Sequence, residues 1–241
     1  MMVRCGNFLF RFRDLLFPLV FVAMAILLPP AFPRGNPWLD LAVDAAGMAL
    51  AIAGQTLRAA VIGYAYVKRG GKDRRVYADT LVTEGFFNHS RNPLYAGNLL
   101  VLAGLIVIHG SPWFVAIGGA FYLFAYLAIT AAEEDFLAKK FTEQYAEYCR
   151  RVPRFIPRLA GLRKSLDGMS FGWQRLIRKE YGSAFVWITC ALGLLVWESS
   201  AHYGLAASRN RLILVAILFI PVFAAYLTAR ILKKTRRLGK D

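Results

Sequence analysis

Cysteine is scarce in this chain, which has only Cys5, Cys149 and Cys190 among 241 residues. They stand far apart, with no histidine or cysteine nearby at metal-ligand spacing, so reduced thiols are expected and neither a disulfide framework nor a structural zinc site is. Acidic residues are also few, 15 against 30 Lys and Arg. The net charge of +15 does not form the continuous patch that nucleic acid requires, because the basic residues fall in clusters between long apolar segments. No nucleic-acid partner is therefore expected. After the first apolar run a clean small-x-small cleavage site is missing, and Pro29, Pro30 and Pro33 follow instead. That run is read as a retained span, despite the signal-like Arg4, Arg11 and Arg13 ahead of it. No internal repeat is evident. What the chain has in abundance is apolar surface, 57% hydrophobic and 14% aromatic residues, too much for an ordinary soluble fold.

A transmembrane helix needs roughly 20 predominantly apolar residues. Six stretches qualify or nearly so: 14–32, 38–67, 94–108, 112–130, 183–197 and 212–232. Only His109, Gly110 and Ser111 separate the third from the fourth, which predicts a tight antiparallel hairpin. With both termini inside, nearly all Lys and Arg fall in the N-terminal arm, segments 68–94 and 131–182, and the end of the last span with its tail. Arg34, Arg209 and Arg211 alone lie outside, and Arg58 lies within a span, a strong positive-inside pattern. The expectation is an all-α integral membrane protein of about six transmembrane helices with cytoplasmic termini, in a prokaryotic inner membrane. Residues 1–160 are read as the core and 183–241 as two additional helices. Between them, 161–182 reads as an interfacial amphipathic linker, with Leu162, Leu166, Met169, Trp173, Leu176 and Ile177 on one stripe and basic residues elsewhere, suited to an anionic lipid surface. Oligomeric state is left open.

Some residues sit badly in lipid. Asp40 and Asp44, one turn apart near the outer end of the second span, are read as a partly wet interfacial face. Arg58 follows Gln55 on the same face; it either points into a cavity as an anion partner or snorkels toward headgroups.

Two segments carry chemistry. Around the third span the chain reads Leu81-Val-Thr-Glu-Gly85-Phe-Phe87-Asn-His89-Ser-Arg91-Asn92-Pro93-Leu-Tyr95-Ala-Gly97. A helix starting at Pro93 leaves its first N–H groups free to receive an anion, and Gly97 allows close approach of another helix or a flat ring. A membrane-entry turn, with Arg91 at the headgroups and Tyr95 in the interfacial belt, explains each residue singly. Where the fourth span leaves the bilayer, Glu133, Glu134 and Asp135 run against the local positive trend. Leu137, Phe141, Tyr145 and Tyr148 then form a helical stripe that packs back on the body. A carboxylate fixed there suits an ammonium or a sulfonium; the alternative is a solvated face paired with Lys139 and Lys140. Pro153 and Pro157 end the helix.

Taken together, Leu-Val-Thr-x-Gly, Arg-x-Pro-x-Tyr-x-Gly, Glu-Glu-x-x-Leu-x-x-x-Phe-x-x-x-Tyr-x-x-Tyr and Val-Pro-Arg-Phe-Ile-Pro, with Gly54-Gln-Thr-Leu-Arg58 upstream, resemble the isoprenylcysteine carboxyl methyltransferase and phospholipid N-methyltransferase superfamily over roughly 50–158. The resemblance implies S-adenosylmethionine as cofactor and methyl transfer to a lipid or isoprenoid-type acceptor, a carboxylate or an amine. Carried over by position, Arg91, Pro93, Tyr95 and Gly97 would line the cofactor pocket, with His89 and Asn92 beside them and Leu81, Val82, Gly85 and Phe87 closing it. Glu133 and Glu134 match the paired acids at the cofactor, Arg154 a basic residue near the acceptor, and Arg58 the upstream element. Asn92 stands where the family usually has histidine; it can still donate and accept hydrogen bonds. Two alternatives remain: a sterol-type NADPH-dependent reductase, which resembles the same Arg-x-Pro-x-Tyr-x-Gly and Tyr148-Cys149 pattern, and a non-catalytic membrane scaffold.

Overall fold

The computed structural model describes residues 1–30, 36–64 and 76–239. Long helices dominate: α1 (Met2–Leu27), α2 (Pro37–Tyr64), α3 (Pro93–His109), α4 (Gly119–Arg151), α5 (Leu162–Leu166), α6 (Trp173–Ala207) and α7 (Arg209–Lys234). A single π-helical turn, Phe114–Gly118, leads into α4, and a 3₁₀ turn, Gly85–Asn88, precedes α3. The chain is an all-α integral membrane protein. By length and composition α2, the continuous helix Phe114–Arg151, α6 and α7 are long and apolar enough to cross a bilayer. Helix α3 has 17 residues, short of the roughly 20 that crossing takes. Helix α1 begins twelve residues before the apolar stretch expected at 14–32 and so carries Arg4, Arg11, Arg13 and Asp14. The expected second span runs to residue 67, and its last three residues lie outside the described ones, as do Pro33, Arg34 and the basic cluster at 68–75.

Local chemistry sets the helix ends around the site. Pro93 occupies the first turn of α3, where its missing N–H costs nothing, and Gly110 closes the helix with φ 72°, a left-handed conformation that glycine adopts without steric penalty. The turn from α3 into the π-helical segment is accordingly short, as its sequence predicts. The two arms then diverge: α3 packs along α2 and α4 along α1.

Small residues make the first of these pairings close. A Cβ on Gly54 would lie 2.5 Å from the carbonyl oxygen of Gly97, and one on Gly97 would lie 2.6 Å from Cγ of Arg58. Two turns away, Gly47 and Gly104 face each other in the same manner, so α2 and α3 run antiparallel with their backbones nearly touching. Gly54→Ala is expected to force the helices apart and to destabilise the chain by roughly 1–3 kcal/mol, read as a lower midpoint of thermal unfolding in detergent. Gly193, with no atom within 4 Å of its Cβ direction, should accept alanine without that loss.

Helix α6 packs on both α2 and α3, and α7 lies outside it with Ala229 as its sole buried residue, the exposure of a lipid-facing helix. The amphipathic helix expected across 161–182 is broken. Chain-reversing Gly168, at φ 78°, ends the short α5 segment, and α6 starts only at Trp173. The intervening stretch docks on the end of α2: Gly172 N–H donates to the carbonyl of Gly63 at 2.8 Å, Arg175 Nη2 donates to it at 2.7 Å, and the Phe171 ring fills the space over Gly63. Leu137, Tyr145 and Tyr148 of the expected stripe are buried with Ala78 and Val152, although α4 deviates from helical geometry at Thr142, where φ is 38°.

Candidate active site

Because α3 and α4 splay apart beyond their short turn, a space remains between them, closed by α1, α2 and α6. It is a cavity of about 580 Å³. One end is polar. There Tyr95 Oη donates to Glu133 Oε1 at 2.6 Å and accepts from Arg13 Nη1 at 3.1 Å, so α1, α3 and α4 meet at one phenol oxygen. The ring of Tyr126 lies 5.3 Å from that of Tyr95, and Phe87, Arg91, Asn92, Pro93 and Leu94 continue the wall. The other end is apolar, formed by Phe17, Phe21, Leu102, Leu105, Val186 and Trp187. A chamber with a few convergent polar groups at one end of a greasy tube has the form of a small-molecule site.

Glu134, one residue after Glu133, turns about 100° around the helix and serves another purpose. Its carboxylate takes Arg91 Nη1 at 3.1 Å and Arg154 Nη2 at 2.9 Å. Burial works to lower the pKa of Arg91, and the neighbouring Glu134 carboxylate outweighs it, so the guanidinium stands above its ordinary value and stays charged. Behind this ion pair the segments 89–92 and 153–158 are laced together. Arg91 N–H donates to the carbonyl of Pro153, Asn92 Nδ2 to that of Arg154, and Ser90 Oγ to that of Phe155. His89 Nδ1 donates to the carbonyl of Arg158 at 2.5 Å, which leaves Nε2 to accept from Ser165 Oγ at 2.8 Å. Tyr148 Oη donates to the carbonyl of Phe87 at 2.6 Å. The clamp fixes the approach to α3 against the end of α4. Glu134→Gln leaves two guanidinium groups without their carboxylate, partly screened by solvent. A loss of roughly 1–3 kcal/mol is expected, with the unfolding midpoint falling while Glu134→Asp retains part of it.

Arg58 is held at the cavity wall by α6. Its Nε donates to Glu180 Oε2 at 2.9 Å and its Nη2 to Oε1 at 2.5 Å, a two-pronged pair, and its Nη1 reaches Asn98 Oδ1. Gln55 Nε2 donates to Glu180 Oε2 at 3.0 Å, and Trp187 Nε1 donates to Gln55 Oε1 at 2.8 Å. Arg58 thus faces a cavity, and its anion is a side chain of the same protein.

Of the residues singled out from the sequence, Arg58, Phe87, Arg91, Asn92, Pro93, Tyr95 and Glu133 lie together on the cavity wall. Others stand behind it. Leu81 packs with the Tyr145–Tyr148 cluster, Val82 with Val61 and Phe86. Gly85 turns the chain at φ 58° beneath Met169, and Gly97 makes room for Arg58. His89, Glu134 and Arg154 belong to the clamp. Sequence reading missed Arg13, Glu180 and Trp187. Glu180 had a signal: it is an acid directly after the basic run from Arg175 to Lys179, and a lone acid entering a span wants a cation.

The fold and cavity define a helical membrane protein with a polar-apolar chamber built around the Arg91–Tyr95 motif. Residues 44–144 match the phospholipid methyltransferase family. Three curated relatives are similar over parts of the chain. Cobalt-zinc-cadmium resistance protein CzcN of Cupriavidus metallidurans is 42% identical over 34% of this chain and 38% of its own length. Nickel-cobalt-cadmium resistance protein NccN of Alcaligenes xylosoxydans xylosoxydans is 28% identical over 58% of this chain and 63% of its own. Protein-S-isoprenylcysteine O-methyltransferase B of Arabidopsis thaliana is 37% identical over 36% of this chain and 44% of its own. The matches thus cover less than two thirds of each relative. No solved structure matches significantly. Over these stretches the chain is similar to the phospholipid methyltransferase family and to an isoprenylcysteine O-methyltransferase.

Proposed function

We propose that this protein transfers a methyl group from S-adenosylmethionine to a lipid or isoprenoid-type acceptor, with its active site facing the cytoplasm at a prokaryotic inner membrane. The observation that carries the reading is the single chamber in which Tyr95 and Glu133 meet at the polar end while Phe17, Leu105 and Trp187 line the apolar end. Its volume, about 580 Å³, falls within the roughly 300–1,000 Å³ of small-molecule sites. The donor set fits the cofactor. Aromatic rings of Phe87, Tyr95 and Tyr126 offer faces to a flat base. The start of α3 has no side-chain cap; with Pro93 lacking an N–H and the Asn92 N–H donated to Ser90 Oγ, the Leu94 N–H is the group offered to a carboxylate, and Glu133 offers negative charge to a sulfonium.

When bound, S-adenosylmethionine would supply an electrophilic methyl group, taken up by the acceptor as the bond to sulfur breaks and S-adenosylhomocysteine leaves. This chemistry needs alignment and exclusion of water more than an acid–base pair. Glu133 and Tyr95 hold the polar end in register, and the apolar wall admits hydrocarbon and keeps water out. For a carboxylate acceptor the nucleophile is already formed, and Arg13 orients it by charge-assisted hydrogen bonds. For an amine, Glu133 accepts the proton. Incubating membranes that contain the protein with methyl-labelled S-adenosylmethionine and extracting lipid tests the reading. Base-labile label assigns a carboxylate and base-stable label an amine; absence of label above a Tyr95→Ala control contradicts the proposal. Thermal stabilisation in detergent by S-adenosylhomocysteine, and none by NADPH, separates it from the reductase alternative.

A further inference from the structure

At the far end of α2 from Arg58 lies a second polar cluster, roughly 20–25 Å away along the helix axis, that the methyl-transfer reading does not use. Asp40 and Asp44 stand one turn apart on α2, and Glu198 and His202 stand one turn apart on α6. Residues at that spacing share a helix face, and the two faces meet. Side-chain ligand atoms of Asp40, Glu198 and His202 all lie within 4.8 Å of one another, and Asp44 adjoins Glu198 and Asp40. The wet interfacial face expected for the two aspartates is absent: Asp40 is 1% exposed, Asp44 7% and Glu198 2%.

Charge in this cluster does not balance. Three carboxyls converge on an apolar interface. Among the described residues, Asp40 Oδ1 and Oδ2, Asp44 Oδ1 and Glu198 Oε2 make no hydrogen bond of good geometry; the three carboxyls lie against one another and the Tyr203 hydroxyl lies beside Asp40. The cations near them among the described residues are Arg211, whose Nη2 is 4.0 Å from Asp40 Oδ2, and His202 when protonated. Buried carboxylates are normally paired or bound to metal. The scaffold around them is fixed: Gly204 turns at φ 77°, and Ser208 Oγ bonds the carbonyls of Ser199 and Gly204 at 2.9 and 2.8 Å, anchoring the α6–α7 corner beside the cluster.

We propose that Asp40, Asp44, Glu198 and His202 form a binding site for one first-row divalent transition ion of the Zn²⁺ or Co²⁺ class. Carboxylates with one imidazole suit such ions, whereas an all-oxygen set would favour Mg²⁺ or Ca²⁺. Ligand atoms around such an ion stand roughly 3–4 Å apart at metal–ligand distances near 2.1 Å, so modest side-chain rotation closes the cluster onto it. The ion neutralises charge that Arg211 leaves over, and it ties α2 to α6.

The test uses the full chain in detergent, without a polyhistidine tag, stripped by chelator and desalted. Titration with Co²⁺, followed by its visible ligand-field absorption, is expected to saturate at one ion per chain. Zn²⁺ at a hundredfold excess over its Kd is expected to raise the unfolding midpoint by roughly 5–10 °C. Glu198→Gln and His202→Asn should each weaken binding at least about 100-fold, while stabilisation by S-adenosylhomocysteine is unchanged. His202 is only partly buried, so its variant keeps the test alive if Glu198→Gln fails to fold. A chain that gives neither saturable absorption nor a Zn²⁺-induced shift overturns the proposal, and the carboxyls are then neutral and share protons. An equal shift with Mg²⁺, or shifts that persist in both variants, overturns it also.

Discussion

Exchange of Glu133 for Gln is expected to lower kcat/KM for methyl transfer by roughly 10²–10³-fold and to leave the protein folded. The amide oxygen of Gln still accepts the hydrogen bond that Tyr95 Oη donates to the carboxylate at 2.6 Å, so the geometry of the polar end survives and only charge is lost. Two controls make the effect specific. S-Adenosylhomocysteine has no sulfonium, so its binding to Glu133→Gln should be close to that of the unaltered chain, whereas preference for the cationic cofactor over it should vanish. Tyr95→Phe removes the hydrogen bonds to both Glu133 and Arg13 and should cost at least about tenfold in kcat/KM. Should Glu133→Gln retain full activity, the carboxylate is a structural neighbour of Tyr95 and takes no part in the reaction.

A still larger effect on stability is expected at Arg58. Its side chain has 14% of its surface exposed and that of Glu180 5%, so removing the cation leaves a carboxylate buried between α2 and α6 with Gln55 as its remaining donor among the described residues. Arg58→Met is expected to cost about 3–5 kcal/mol, measured as the fall in unfolding free energy in detergent. The double variant Arg58→Met/Glu180→Leu removes both charges and should recover more than half of that loss. Recovery is the informative arm, because it distinguishes an uncompensated charge from a simple loss of packing. If the double variant is no more stable than the single one, the pair contributes through shape and the charge argument fails.

Much of this molecule is legible along the chain because a bilayer imposes a strong rule. Apolar runs, basic clusters and the Gly110 turn placed the helices of the central bundle, and Pro93 marked the start of α3. Helix α1 proved harder, since its first turns are charged and its apolar run begins late. At the site, motif spacing gathered Arg91, Pro93, Tyr95 and Glu133 on one wall. It could not divide labour between adjacent acids: Glu133 and Glu134 differ by one step of the helix, and that step sends one to Tyr95 and the other to Arg91 and Arg154. Nor could it pair Arg58 with Glu180, 122 residues away, because partners across helices leave no periodic trace. The same holds for Asp40 and Glu198. Each looks tolerable alone near a helix end, and only their juxtaposition removes water from both.

Ultraviolet crosslinking of methyl-tritiated S-adenosylmethionine to the solubilised chain, followed by peptide mapping, asks most directly whether the chamber holds the cofactor. Label is predicted on peptides that contain Phe87 to Tyr95 and Tyr126 to Glu133, and it should be competed by S-adenosylhomocysteine. Label confined to α7 or to residues 1–9, or no competable label at all, would contradict the assignment of this cavity to methyl transfer.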